Sequence, residues 1–148
     1  MRTLEELGAL GKVQAYVIAR RLRSGTWEDS TLLLHDPRLV KVAGQLVEAV
    51  GSIPTAISEG YARRSRADRI RFYEYALGSA NESCDWYESA EPILDPGVVK
   101  ARLADLLSIC RLLLTMIANE RAAKAAGNPI PSAADNRPRN KRATRHIT

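Results

Sequence analysis

Aromatic residues are scarce in this chain: one Phe, two Trp and five Tyr, 5% of the whole. Strands draw on aromatic and β-branched side chains, so the shortage speaks against a sheet-based core, and abundant Ala and Leu speak for helices. There are only two cysteines, Cys84 and Cys110, and neither lies in a CxxC or near a histidine, so metal-ligand spacing is missing. Both fall on apolar helical stripes, where a reduced thiol acts as a small hydrophobe. There are only two histidines. His35 precedes an Asp-Pro helix start and His146 lies near the end of the chain, poor places to fix a general base. No P-loop, glycine-rich phosphate fingerprint or carboxylate pair beside a histidine is present, so no catalytic residue, metal or cofactor is expected. No apolar run approaches the roughly 20 residues that span a bilayer. The opening "MRTLEELGALGK" carries acids where a signal peptide needs an apolar core, which makes a cytoplasmic location the expectation.

What is there is a helical pattern. Hydrophobic residues make up 45% of 148, enough for one domain with a real core. Four segments each begin with a helix-start signal. Thr3 and Glu6 form a capping box ahead of a stripe from Leu4 to Leu22. Three arginines, Arg20, Arg21 and Arg23, then suit a last turn before Ser24-Gly25. Asp36-Pro37 reads as the start of a second helix, whose seam Leu39, Ala43, Leu46, Val50, Ile53 and Ile57 runs through Pro54 without losing phase. One kinked helix is therefore expected there, not two. Ser65 and Asp68 start the third helix, with the stripe Ile70, Tyr73, Leu77, Ala80, Cys84 and Tyr87. Its Gly78 and Ala80 suggest a close neighbour, and Glu74, Glu82, Asp85 and Glu88 mark its exposed side. Asp95-Pro96 starts the fourth, with Val99, Leu103, Leu106, Cys110, Leu113 and Ile117, and Gly127 and Pro129 close it. The fold class expected is all-α, an antiparallel up-down four-helix bundle over residues 1–126. The fourth helix also carries Leu107, Ile109, Leu112, Leu114 and Met116. Apolar surface on more than one side points to self-association through that helix.

Charge is unevenly placed. Residues 127–148 hold five bases, Arg137, Arg139, Lys141, Arg142 and Arg145, against one acid, Asp135, so +4 of the net +5 lies in this stretch. Its Pro, Asn, Ser and Arg content reads as a basic tail too polar to offset the entropy of ordering. The corner between helices two and three, "SEGYARRSRAD", is also basic. Glu59 stands four residues before Arg63, in register for a helical ion pair, and Gly60 admits a crossing helix. In an up-down bundle Arg63, Arg64, Arg66, Arg69 and Arg71 share a pole with the emerging tail. Tyr61 and Tyr73 are near enough to stack on bases, although Tyr73 fits the core better.

The stretch "SIPTAISEGYARRSRADRIRFYEYALGSANES" resembles the four helix bundle protein family, also called intervening-sequence proteins of 23S ribosomal RNA. Ser52, Ile53, Pro54, Ile57, Glu59, Gly60, Arg64, Ser65, Ala76, Leu77, Gly78, Ser79 and Glu82 match its pattern. Ala56 stands where the family commonly has Asn, and Ser58 where it commonly has Ala. The resemblance implies an all-α bundle assembling as a ring, commonly a homopentamer, with no enzyme activity. A distantly similar bundle accompanies reverse transcriptases and binds both nucleic acid and the polymerase. Two functions are therefore expected. One is a nucleic-acid-associated accessory protein, contacting RNA or DNA, and a polymerase, with the corner arginines and the five tail bases. The other is a protein-interaction scaffold that binds no nucleic acid.

Overall fold

The computed structural model describes residues 1–132; the five tail bases and His146 lie outside the described residues. After a 3-10 turn at Gly8–Lys12 come α1 (Gln14–Leu33), α2 (Val40–Ala62), α3 (Arg66–Ala90) and α4 (Pro96–Ala125), with no strand among the described residues. α1 packs against α2 and α4, and α3 packs against α2 and α4, so the four helices close around one core. Cross-contacts fix how they meet: Arg21 reaches Asp105, Asn81 reaches Cys110, and Arg66 reaches Glu120.

Two helix starts form as their caps dictate. The Ser65 hydroxyl accepts the Asp68 N–H at 3.2 Å. The Asp95 carboxylate accepts those of Gly97 and Val98 at 2.8 and 3.3 Å, with Pro96 at the first helical position. The other two differ from expectation. Thr3 and Glu6 do form their capping box, at 2.7 and 3.2 Å, but it secures only a short turn. Val13 leaves the helical region (φ −78°, ψ 107°) and α1 begins after it. Asp36 does not cap α2. Its carboxylate is engaged by the backbone N–H and guanidinium of Arg38 at 2.7 to 3.0 Å, closing a separate turn, and α2 begins at Val40.

The larger correction concerns Ser24-Gly25, which does not end α1. The helix runs on to Leu33, so Arg20, Arg21 and Arg23 sit mid-helix. Gly25 serves a tertiary purpose: a Cβ there would lie 2.5 Å from the Arg102 guanidinium carbon. That guanidinium donates from Nε to the Asp29 carboxylate at 2.7 Å and from Nη2 at 3.3 Å. Tyr87 donates its hydroxyl to the same carboxylate at 2.7 Å, so the Thr26 hydroxyl, 2.8 Å from the Tyr87 oxygen, is the donor in that pair. Asp29 is 5% exposed. A buried carboxylate is tolerable only when paired and hydrogen-bonded, and here α1, α3 and α4 each contribute a partner or the charge itself. Burial, together with the bond to Asp29, pushes the Tyr87 hydroxyl pKa upward.

Around this polar knot the core is apolar. Tyr16 and Leu22 of α1, Leu46, Ile53 and Ile57 of α2, and Leu106, Ile109 and Leu113 of α4 are all buried. α2 is one helix through Pro54, as the unbroken apolar phase requires, and the Thr55 hydroxyl donates to the Gly51 carbonyl at 3.1 Å just beyond the proline. Ala80 is buried, but Gly78 faces open space and admits no neighbour. Glu74, Glu82, Asp85 and Glu88 lie on the outer side of α3, as expected. Burial pushes the Cys84 thiol up to about 11 and raises that of Cys110, so both are poor thiolates. No helix among the described residues is long and apolar enough to cross a membrane.

The breadth of α4 is partly explained within the chain. Ile109 is in the core, and Leu112 and Met116 pack half-buried against it, because α4 has two neighbours. Leu107 (53% exposed) and Leu114 (55%) remain outside, seven residues apart on one face.

Candidate nucleic-acid interface

The α2–α3 corner is short and tightly held. α2 ends as Arg63 turns extended (φ −73°, ψ 146°), its N–H bonded to the Gly60 carbonyl at 3.1 Å. Gly60 is required by close approach: a Cβ there would be 2.9 Å from both Phe72 Cβ and the Tyr73 ring. That contact brings α3 across the end of α2, and the five corner arginines then divide into two groups.

Arg66 and Arg69 hold the pole together. Arg66 donates to Glu120 of α4 at 2.7 Å and to the carbonyls of Asn128 and Pro129 at 2.7 and 2.9 Å. Arg69 lies 3.5 Å from the other Glu120 oxygen and donates to the carbonyls of Arg63 and Tyr61, both at 3.0 Å. All three charged side chains are about 15% exposed or less. One acid therefore serves two bases in a half-dry setting, and these two arginines have little donor capacity left for a ligand.

Arg63, Arg64 and Arg71 face outward and are exposed. Arg63 lies over the Phe72 ring at 4.6 Å, not against Glu59; among the described residues no Glu59–Arg63 ion pair forms. Arg71 sits 5.4 Å from the same ring and pairs with half-exposed Asp68 at 3.2 Å. Arg63 and Arg64 have no carboxylate partner among the described residues. Tyr73 is 2% exposed, with burial pushing its hydroxyl up to about 12, and so belongs to the core. Tyr61 is half-buried beneath the Arg69 guanidinium at 5.4 Å. Tyr73 is therefore closed to stacking, and the Arg69 guanidinium already occupies one face of Tyr61. Ala56, where the resembling family has Asn, packs against the core cluster.

The first residues of the expected tail make hydrogen bonds to the helices. The Asn128 N–H reaches the Ala123 carbonyl at 3.0 Å, and Arg66 holds the next carbonyls. Ending the chain at Ser132 is expected to leave the melting temperature within about 2 °C. Ending it at Ala126 strips Arg66 of two acceptors and lowers it by about 4 °C or more. Thermal denaturation of both truncations by circular dichroism checks this, and equal melting temperatures would show that the Asn128 and Pro129 carbonyls hold nothing.

Sequence reasoning missed that Arg20 is buried (7% exposed), since it read as a last-turn cation. Glu120 was legible only as one of several acids, with Glu5, Glu6, Glu59 and Asp68, that offset the charge of this pole; the structure makes it the one that holds Arg66 and Arg69.

Comparison with known proteins bears on the fold and the family. No curated protein matches the chain. A solved structure from Bacteroides thetaiotaomicron, a protein with unknown function from the S23 ribosomal protein family, superposes with a TM-score of 0.64 at 23% identity, covering 70% of this chain and 97% of that one. At that identity the likeness speaks for the fold alone. The description 23S rRNA-intervening sequence protein matches residues 12–118, a span holding all four helices but for the last turns of α4. On that match, this all-α chain belongs to the 23S rRNA-intervening sequence protein family.

Proposed function

We propose that the protein is a non-enzymatic, cytoplasmic accessory protein: an up-down four-helix bundle that assembles as a parallel ring, a homopentamer, and holds RNA or DNA on its basic pole. The observation that carries the reading is the division of the corner arginines. Glu120 already engages Arg66 and Arg69, whereas Arg63 and Arg64 project without an acid beside them, and Arg71 is offset only by half-exposed Asp68. In a parallel ring this set repeats around one face, joined by the tail bases Arg137, Arg139, Lys141, Arg142 and Arg145. Repeated exposed cations bind phosphate by counterion release and without regard to sequence. No cofactor, metal or catalytic residue takes part.

Assembly is favoured by Leu107 and Leu114, which present apolar surface along one face of α4. Light scattering coupled to size exclusion is expected to return about five times the 16.3 kDa of one chain. Leu114→Glu is expected to shift that mass to the monomer, and a wild-type monomer at micromolar concentration would sink the ring. Nucleic-acid binding is tested by anisotropy with labelled single-stranded RNA and duplex DNA at about 50 mM salt, a condition generous to electrostatic contacts. Trp27, 67% exposed on α1, favours a second reading, a scaffold docking another protein such as a polymerase. That reading takes over if neither nucleic acid binds.

A further inference from the structure

Among the described residues two charged side chains are buried, Asp29 and Arg20, and of these Asp29 alone has a counter-ion. Arg20 donates from Nη2 to the Arg2 carbonyl at 2.6 Å, and its guanidinium carbon lies 5.7 Å from the centre of the Tyr16 ring. Neither contact cancels the charge, and no carboxylate pairs with Arg20 among the described residues. An arginine does not shed its proton to escape burial. Among the described residues, no fully buried side-chain nitrogen or oxygen lacks a hydrogen-bond partner. The Arg20 guanidinium nitrogens that make no hydrogen bond are therefore not wholly enclosed, and the side chain lines an adjoining hollow.

That space is a cavity of about 330 Å³ between the start of the chain, α1 and α2 beside Pro54. Arg2, Arg20 and Arg23 line it together with Thr55 and Ser58, and no acidic side chain does. The Thr55 and Ser58 hydroxyls donate to the carbonyls of Gly51 and Thr55, at 3.1 and 3.0 Å, and both are free to rotate toward an occupant. Three guanidiniums around one acid-free hollow form an electrostatic concentrator, strongest for the one that is desolvated. Arginine forks match the paired oxygens of a tetrahedral oxyanion, and a doubly charged one answers this excess of positive charge better than a single carboxylate. The volume holds about ten waters, room for a phosphate group and part of its ester.

We infer that this cavity is a phosphate-binding site, with Arg20 as its buried anchor and Arg2 and Arg23 closing over the ligand from the rim. It shares no residue with the corner formed by Arg63, Arg64 and Arg71, so it stands or falls apart from the proposed nucleic-acid face. Its phosphate comes either from a free or monoester phosphate or from a nucleic-acid backbone.

Calorimetric titration of the full chain with inorganic phosphate, at constant ionic strength against chloride, tests the inference. One phosphate per chain is expected. Arg23→Gln and Arg2→Gln replace exposed side chains outside the core, and each is expected to weaken binding by about tenfold or more. Arg20→Gln is expected to weaken it further, provided its circular dichroism remains that of the wild type. Arg64→Gln, at the corner, leaves phosphate affinity unchanged. A single-stranded RNA without terminal phosphates separates the two sources: displacement of bound phosphate identifies the backbone, and no displacement identifies free or monoester phosphate. The inference is overturned if phosphate does not bind at 10 mM (about the upper end of small-anion affinity that defines a site). It is equally overturned if phosphate binds wild type, Arg2→Gln and Arg23→Gln alike.

Discussion

Gly25→Ala is expected to destabilise the protein by about 2 kcal/mol, and the same substitution made in an Arg102→Ala background is expected to stabilise it by about 0.5–1 kcal/mol. The reversal follows from what the missing side chain accommodates. In the middle of an exposed helix, Ala is better than Gly because it loses less backbone freedom on folding. Gly25 is not in such a place, since a Cβ would lie 2.5 to 2.7 Å from three atoms of the Arg102 guanidinium. A guanidinium is the far end of a flexible side chain and would ordinarily swing aside. This one is anchored by two bonds to Asp29, and moving it leaves a carboxylate that is 5% exposed short of its cation. Arg102→Ala alone is expected to cost about 3 kcal/mol or more for the same reason, since breaking a buried pair strands a charge. Asp29→Leu combined with Arg102→Met should recover much of that loss, because the desolvation penalty leaves with both charges. Urea denaturation at one fixed protein concentration, which holds any contribution of the proposed assembly constant, gives all of these values. A neutral or stabilising Gly25→Ala in the wild type would show that Arg102 is not held against α1.

Gly25 also marks where sequence and structure diverge. A glycine after Ser24, following three arginines, carries every local sign of a helix end. The reason it lies inside α1 comes from α4, which no window around residue 25 contains. Local chemistry was legible where it acts locally: Ser65 and Asp95 cap their helices because the acceptors and the N–H groups they serve are two or three residues apart. Phase was legible through Pro54, since an apolar period is read over several turns and one missing bond does not reset it. Asp36 had the residue type of a cap and does accept a backbone N–H, that of Arg38, whose guanidinium it also pairs; what it closes is the turn before Val40, so α2 starts without it. The arginine corner was legible as a place, not as a set of roles. Arg66 and Arg64 look alike in sequence; only Glu120, arriving from the far end of α4, makes one a clamp and leaves the other free.

That distinction decides how the corner is to be tested. Arg63→Gln with Arg64→Gln removes two outward charges and leaves the Glu120 clamp intact, so the bundle is expected to melt within about 2 °C of the wild type. If both arginines meet phosphates of single-stranded RNA, the slope of log affinity against log salt falls in magnitude by about 1.4, roughly 0.7 for each phosphate no longer neutralised. Extrapolated from about 1 M salt, where such interactions vanish, this corresponds to roughly 60-fold weaker binding at about 50 mM and about tenfold at about 200 mM. Anisotropy titrations at several salt concentrations yield both the affinity and the slope. A drop in affinity with an unchanged slope would mean that the substitutions damaged something other than phosphate contacts. Arg66→Glu gives the contrasting result. It sets a second carboxylate against Glu120 where the Arg66 guanidinium now lies at 2.7 Å, with side chains only about 15% exposed. The pole is then expected to lose about 3 kcal/mol or more of stability, from the broken pair and from like-charge repulsion in a poorly solvated place. Weak RNA binding by Arg66→Glu would therefore report unfolding at the pole, while weak binding by the folded Arg63→Gln, Arg64→Gln variant reports the interface. If that double variant binds RNA as the wild type does, with the same salt slope, the corner makes no phosphate contact and Arg63 and Arg64 are only its solvated edge.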